Sequence, residues 1–138
     1  MLDTNVVSAL MQSTINPMIS AWLDRYAMAE IWTSSISVME VENGIQRVPP
    51  GRRKDHLAKV WGNVLSIGLE RRVASFDEEA ARLAGRLMAD RTRAGITIDI
   101  RDTQIAGIAL AHGATLATRN IRHFRDLGAL AINPWDAA

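Results

Sequence analysis

The feature that most constrains this chain is the alternation of short apolar or β-branched stubs with longer segments of helical spacing. Met1-Leu2, Ile31-Trp32-Thr33-Ser34, Arg72-Val73-Ala74-Ser75, Ala114 to Thr118 and Leu130-Ala131-Ile132 read as strands. Between them, apolar residues recur at three- and four-residue intervals, the signature of helices that bury one side. Asn5 to Met11 opens the first helix. Asn16-Pro17 starts a second, with Pro17 in the first turn and Ile19, Trp22, Leu23 and Tyr26 at helical spacing. After Ser35-Ile36-Ser37, a third carries Val38, Met39, Val41, Glu42 and Ile45 and stops at Pro49-Pro50-Gly51. A basic turn, Arg52-Arg53-Lys54, leads into a fourth through Leu57, Val60, Trp61 and Leu65. The fifth has two candidate caps, Ser75 with Glu78 or Asp77 alone, and Gly95 as a left-handed stop. The sixth runs from about Arg101 to His112 and closes at Gly113. Strands alternating with helices dictate a mostly parallel sheet covered by helices on both faces. A strand opening at residue 1 is short for a central position, so either the chain continues upstream or this strand is brief.

The 138 residues, 48% of them hydrophobic, are enough for one domain with a real core, and no repeat or linker divides residues 1–138. No apolar run approaches the roughly 20 residues that span a bilayer, and no basic-then-apolar leader opens the chain. The expectation is a cytoplasmic domain with no membrane partner. With Cys at 0, a disulfide framework and a thiolate metal site are both excluded. The formal charge of +1 announces no polyanion. The kind of base says more: only Lys54 and Lys59 are lysines, and the arginine fork suits phosphate. Compositional drift toward arginine gives the same excess; Arg52-Arg53-Lys54 could make a phosphate-backbone contact, but a solvated turn explains the trio better.

Four polar positions fall where strands or loops give way to helices: Asp3, Glu40, Asp102 and the Thr118-Arg119-Asn120 string. In open parallel sheets, ligands collect beyond the carboxyl ends of strands, where Asp3 and Asn120 belong. Asp3 can cap the helix that follows and still face a ligand. Thr4 and Asn5 can steady its carboxylate from behind. Glu40 and Glu42 cannot face the same way; with Ile36 and Met39 packed inward, Glu40 is the crevice-facing acid. Asp99 and Asp102 open a helix, Ile105 to Ala111, that is apolar almost all round and therefore buried. The helix dipole alone explains acids there, yet a carboxylate at the mouth of a buried helix is also held firmly. Two carboxylates about 4 Å apart repel by about 4 kcal/mol at an effective dielectric of about 20. Three such acids therefore call for a divalent cation. Mg²⁺ fits a set of carboxylates and phosphate oxygens better than zinc, whose favoured imidazoles (His56, His112, His123) are scattered.

Five strings, in order, carry a family likeness: Leu2-Asp3-Thr4-Asn5-Val6-Val7-Ser8, Ser37 to Ile45, Asp102-Thr103-Gln104-Ile105-Ala106, Ala117-Thr118-Arg119-Asn120 and Asn133-Pro134-Trp135. Together they resemble the PIN-domain ribonucleases, most of all the VapC-type toxins of bacterial toxin–antitoxin pairs and their FitB-like subset. The resemblance implies a three-layer α/β/α sandwich and Mg²⁺, or Mn²⁺, held by Asp3, Glu40 and Asp102. It implies hydrolysis of RNA to a 5′-phosphate and a 3′-hydroxyl, a VapB-like antitoxin partner and a toxin homodimer. Many relatives carry a fourth acid where this chain has Asn120, or three residues on, where it has His123 before Phe124. Asn120 then joins the catalytic set through its amide, Thr4, Asn5, Asp99 and Thr118 orient the acids, and Arg119 and Arg101 grip RNA. The departure at the fourth acid leaves a rival reading: a PIN-like RNA- or protein-binding module with weak or no catalysis. A haloacid-dehalogenase-type phosphatase needs a second Asp two residues after the first, where Asn5 stands.

Overall fold

In the computed structural model, whose described residues are 1–136, the sheet is organised around a single residue. Leu2 makes parallel bridges to Thr33 on one side and Ala117 on the other. Strand β1 (Thr33–Ser34) pairs in parallel with β2 (Val73–Ala74), and β3 (Leu116–Ala117) with β4 (Ala131–Ile132). The spatial order is therefore β2, β1, Leu2, β3, β4. Leaving Leu2, the chain builds outward through β1 and β2, then crosses back and builds the other side through β3 and β4. That reversal is a topological switch point, the place where a crevice opens beyond the strand ends. The residues that follow the two strands flanking it are Asp3 and Thr118.

Successive side chains of a strand point to opposite faces, and the core shows it. Met1 and Leu116 lie in one apolar cluster, with Ile105, Ile108, Phe124 and Leu127; Leu2 and Ala117 lie in a second, with Val6, Val7, Trp22, Val41 and Trp61. Both faces of the sheet are covered, as a parallel sheet requires, and the α/β/α layering matches expectation.

Local chemistry fixes the helices. Helix α1 (Thr4–Leu10) is capped by Asp3, and α2 (Pro17–Leu23) by Asn16 with Pro17 in its first turn. Helix α3 (Ser35–Gln46) is capped by Ser34, so it begins three residues earlier than the spacing suggested. Helix α4 (Arg52–Asn63) runs on into a π turn (Val64–Gly68). Helix α5 (Glu78–Arg93) takes Asp77 alone as its cap, and α6 (Ile100–Ala111) takes Asp99. The glycine stops hold: Gly95 and Gly113 have φ of 69° and 57°. At Gly107 on α6, a Cβ would stand 2.5 Å from the Ala80 carbonyl oxygen of α5, which is why no side chain is carried there.

Two expectations are corrected, one holds, and one element is new. Tyr26 lies beyond α2, although its ring tilts onto Trp22 with centroids 5.0 Å apart. Met39 is 49% exposed, and the inward residues of α3 are Ile36, Ser37, Val41 and Ile45. Arg52-Arg53-Lys54 starts α4 as expected, forming its first turn, with Lys54 Nζ reaching back to the Gln46 carbonyl at 3.2 Å. The 3₁₀ stretch Ile121–Leu130, broken at Phe124 and Gly128, had no counterpart in the sequence pattern.

Candidate active site

Asp3 is held in the sheet by its own backbone. Leu2 N donates to the Trp32 carbonyl at 2.7 Å and Asp3 N to that of Ala117 at 2.9 Å. The side chain, 4% exposed, leaves the strand end and meets neutral donors only. Its Oδ1 accepts from Thr4 N (2.7 Å); its Oδ2 accepts from the Thr118 hydroxyl (2.6 Å) and Asn5 Nδ2 (3.0 Å). Thr118 Oγ1 in turn accepts from Asn120 N at 3.0 Å, and Asn5 Oδ1 accepts from Arg119 N at 3.0 Å. Asp3 thus caps α1 and faces the crevice at once. Burial pushes its pKa up; the bonds from Thr118 and Thr4 oppose the rise, and the charges of Asp102 and Glu40 add to it.

Glu40 reaches this crevice from α3. Thr4 donates its hydroxyl to Glu40 Oε1 at 2.7 Å, and Thr4 Oγ1 lies 3.0 Å from Ser37 Oγ. A hydroxyl carries one proton, so with Thr4's given to Glu40, Ser37 must donate to Thr4. Ser34 Oγ sits 3.2 Å behind Ser37, completing a relay of three hydroxyls that ends on the carboxylate. The second oxygen, Oε2, faces Arg101 Nη1 at 3.5 Å. Glu42 points elsewhere and accepts from Trp61 Nε1 at 2.9 Å, so it stands outside the cluster.

Asp102 enters from the first turn of α6. Asp99 Oδ1 accepts from Asp102 N at 3.1 Å, fixing the turn, while Asp99 Oδ2 lies 3.9 Å from Arg101 Nη2. Asp102 Oδ2 lies 2.6 Å from His123 Nδ1, whose ring is 54% exposed. His123 was legible only as a departure from an acid; its pairing with Asp102 was not. Nor was Arg91 legible. This α5 arginine is 4% exposed, forks onto both Asp126 oxygens (2.6 and 2.8 Å), and donates to Thr103 Oγ1 and the His123 carbonyl, each at 3.0 Å. It ties α5, α6 and the Ile121–Leu130 stretch together and so sets His123 on Asp102.

Asp3, Thr4, Asn5, Glu40 and Thr118 therefore meet at the switch point, with Asp102 and Asp99 at its α6 rim. Asn120 enters through its backbone N–H and is exposed. Arg101 spans Glu40 and Asp99; Arg119 lies over the Trp135 ring, 4.1 Å from its centroid. Among the described residues, no three His, Asp or Glu side chains close on one point as a ready-made ion cage. Glu40 meets the Thr4 hydroxyl and Arg101, and Asp102 meets His123. The donor chemistry nonetheless fits a hard divalent ion, because a buried carboxylate that feels two further acid charges has only neutral partners of its own.

The geometry defines a class first: a parallel α/β protein with an acidic crevice at its switch point. Comparison then gives the family. The PIN domain family model matches residues 1–130. The chain is 36% identical over 137 residues to the plasmid stability protein StbB of Pseudomonas syringae pv. tomato, covering 99% of each. It is 36% identical over 138 residues to the VapC ribonuclease Y4jK of Sinorhizobium fredii, covering 99% of this chain and 98% of that one. A chain in the crystal structure of FitAcB from Neisseria gonorrhoeae superposes with a TM-score of 0.86 at 29% identity, covering 98% of this chain and 97% of its own. The chain belongs to the PIN-domain family, and the relatives it resembles include a VapC ribonuclease.

Proposed function

We propose that this chain is a Mg²⁺-dependent endoribonuclease and the toxin half of a toxin–antitoxin pair, acting on cytoplasmic RNA. One observation carries the reading: Asp3, buried at the switch point, is surrounded by neutral donors and faces the charges of Asp102 and Glu40. Asp3, Glu40 and Asp102 would hold the ion, and Mn²⁺ would suit the same oxygens. When bound, such an ion supplies positive charge against the scissile phosphate and sharpens the acidity of adjacent water. The chain's own residues do the rest. Thr118, Asn5 and Thr4 fix both Asp3 oxygens, the Ser34–Ser37–Thr4 relay fixes Glu40, and Asp99 with His123 fixes Asp102. Arg101, between Glu40 and Asp99, stands where an entering phosphate would exchange with it. Water oxygen joins phosphorus as the bond to the 3′ oxygen breaks, leaving a 5′-phosphate and a 3′-hydroxyl.

The name VapC ribonuclease and the FitAcB complex support an antitoxin partner of the VapB type, and we extend this to a toxin homodimer. Expression in a bacterial host followed by mapping of new 5′-phosphate RNA ends tests the activity; the ends should vanish with Asp102→Ala. Cleavage in Mg²⁺ by Asp3→Asn at the parent rate would overturn the assignment. A second reading, a binding module without catalysis, draws on Asn120 and His123 in place of a fourth acid; RNA binding with no Mg²⁺-dependent cleavage would favour it.

A further inference from the structure

Trp135 is an unusually well-fixed aromatic for a residue near a chain end. Asn133 Oδ1 accepts from Trp135 N at 3.1 Å, while Asn133 Nδ2 donates to Asp136 Oδ2 at 2.7 Å, locking the turn after β4. Pro134 between them is buried, and one part of the indole packs on the second core cluster. The guanidinium of Arg119 lies over this ring, 4.1 Å from the centroid. Arg119 is anchored by its backbone N–H on Asn5 Oδ1 (3.0 Å), and Asn5 Nδ2 is bonded to Asp3 Oδ2 (3.0 Å). A rigid planar cation on an aromatic plate is therefore joined through one side chain to the central carboxylate of the crevice.

What surrounds that plate indicates a ligand class. On the α1–α2 side lies a depression of about 440 Å³, lined by Asn5, Ser8, Gln12, Asn16, Arg119 and Trp135. Gln12 Nε2 donates one of its two protons to the Ser8 carbonyl (3.4 Å), and Asn16 Oδ1 accepts from Met18 N (2.9 Å). An acceptor on Gln12 and a donor on Asn16 remain for the edge of a planar heterocycle. On its other side, Arg119 borders a second depression with Arg122 and His123, and these two continue into a third that reaches Asp102. The three depressions share walls: Arg119 stands between the first and second, and Arg122 and His123 between the second and the one that reaches Asp99 and Asp102. Grooves that pair arginine with aromatic planes bind unpaired bases, because every base has a face to stack.

We propose that Arg119 stacked on Trp135 forms a subsite for one unpaired nucleobase beside the scissile phosphate, its edge read by Gln12 and Asn16. This deepens the ribonuclease reading and rests on it. The probe is a short single-stranded oligoribonucleotide carrying one 2-aminopurine, walked position by position, bound to the full chain in EDTA so that nothing is cut. One register should lose fluorescence on binding. That quench should disappear with Trp135→Leu and persist with Trp135→Phe, which keeps a ring and its packing. Arg119→Lys should bind about tenfold more weakly, the scale of one base stack, with an unchanged slope of log affinity against log salt because the charge is kept. No quenched register, parent-like binding by Arg119→Lys, or equal affinity for the same sequence in duplex would overturn the subsite. If the parent cuts RNA in Mg²⁺ through Asp3 and no base is quenched, the subsite falls and the nuclease reading stands. A quenched base without any Mg²⁺-dependent cleavage keeps the subsite and sinks the nuclease.

Discussion

The acidic crevice has two halves built on different physics. The strand-end half, around Asp3, is made of backbone ladders and buried hydroxyls: its carboxylate meets Thr4, Asn5 and Thr118 and no cation. The helix-borne half, around Asp102, is made of arginine–carboxylate pairs and an imidazole–carboxylate contact. His123 lies on Asp102, Arg101 spans Asp99 and Glu40, and buried Arg91 forks onto Asp126. One half holds an acid that its surroundings make uncomfortable; the other holds acids that already have partners. The two should respond to acid in opposite directions. Burial raises Asp3's pKa, while the bonds from Arg91 lower that of Asp126.

The largest effect is expected at Arg91. Arg91→Met leaves Asp126 without its fork and Thr103 and the His123 carbonyl without a donor, and should cost about 3 kcal/mol in urea denaturation. Adding Asp126→Leu should recover most of that stability, since an apolar pair replaces an ionic one at little net cost. It should not recover RNA cleavage if Arg91's role is to set His123 on Asp102. Cleavage restored together with stability would reduce the whole helix-borne half to scaffolding. The parent's Asp126 contribution is present above the usual carboxylate range and is lost as pH falls toward its depressed value. Asp126→Asn should therefore flatten that acid loss.

Asp3→Asn comes next, with the contrary sign. The native state holds Asp3's proton more tightly than the unfolded chain does. As pH falls from neutral through the raised pKa toward the usual carboxylate range, this residue adds stability; as pH rises, it subtracts it. In metal-free buffer, Asp3→Asn should erase that gain on acidification and leave stability at neutral pH within about 1 kcal/mol of the parent. Mg²⁺ at about 100 times its dissociation constant should stabilise the parent by about 2.7 kcal/mol and the variant by far less. A parent melting curve indifferent to Mg²⁺ would remove the reason for gathering these acids. Ser37→Ala, in the same half, should cost about 1 kcal/mol by leaving Thr4 short of a donor, and should weaken Mg²⁺ binding through Glu40.

The two halves also differ in how far they could be read from sequence. Asp3 and Thr118 follow apolar stubs, and in a parallel sheet the residue after a strand has few places to go, so their meeting was foreseeable. Glu40 was foreseen for the wrong reason: Met39 was placed inward, whereas the Ser34–Ser37–Thr4 hydroxyls are what aim the carboxylate. Hydroxyl relays leave no periodic trace. Arg91 was invisible because α5 also carries the exposed Arg82 and Arg93, and one buried arginine among solvated ones looks the same in sequence. The Ile121–Leu130 stretch hid for a related reason: 3₁₀ turns broken at Phe124 and Gly128 keep no single period. Strands of only two residues carry no alternation either, so the parallel sheet was read from the alternation of strands with helices, and the order of its strands was not read at all.

Arg101 should show the smallest effect and the finest distinction between the halves. Its side chain is 53% exposed and its contacts with Glu40 and Asp99 are 3.5 and 3.9 Å. Exposed pairs of that geometry contribute little, so Arg101→Gln should change stability by less than about 0.5 kcal/mol. Its functional effect should divide. Arg101 shares Glu40 Oε2 with any ion the acids hold, so removing it should lower the Mg²⁺ concentration needed for half-maximal cleavage, by a few-fold at most. If Arg101 also receives the RNA phosphate, KM for RNA should rise at the same time, and both changes should shrink as added salt screens the exposed charge. A fall in the Mg²⁺ requirement with unchanged KM would make Arg101 a counter-ion of Glu40 alone. A risen KM with an unchanged Mg²⁺ requirement would make it a substrate contact, and Glu40 would then join Asp3 as an acid fixed by hydroxyls rather than by charge.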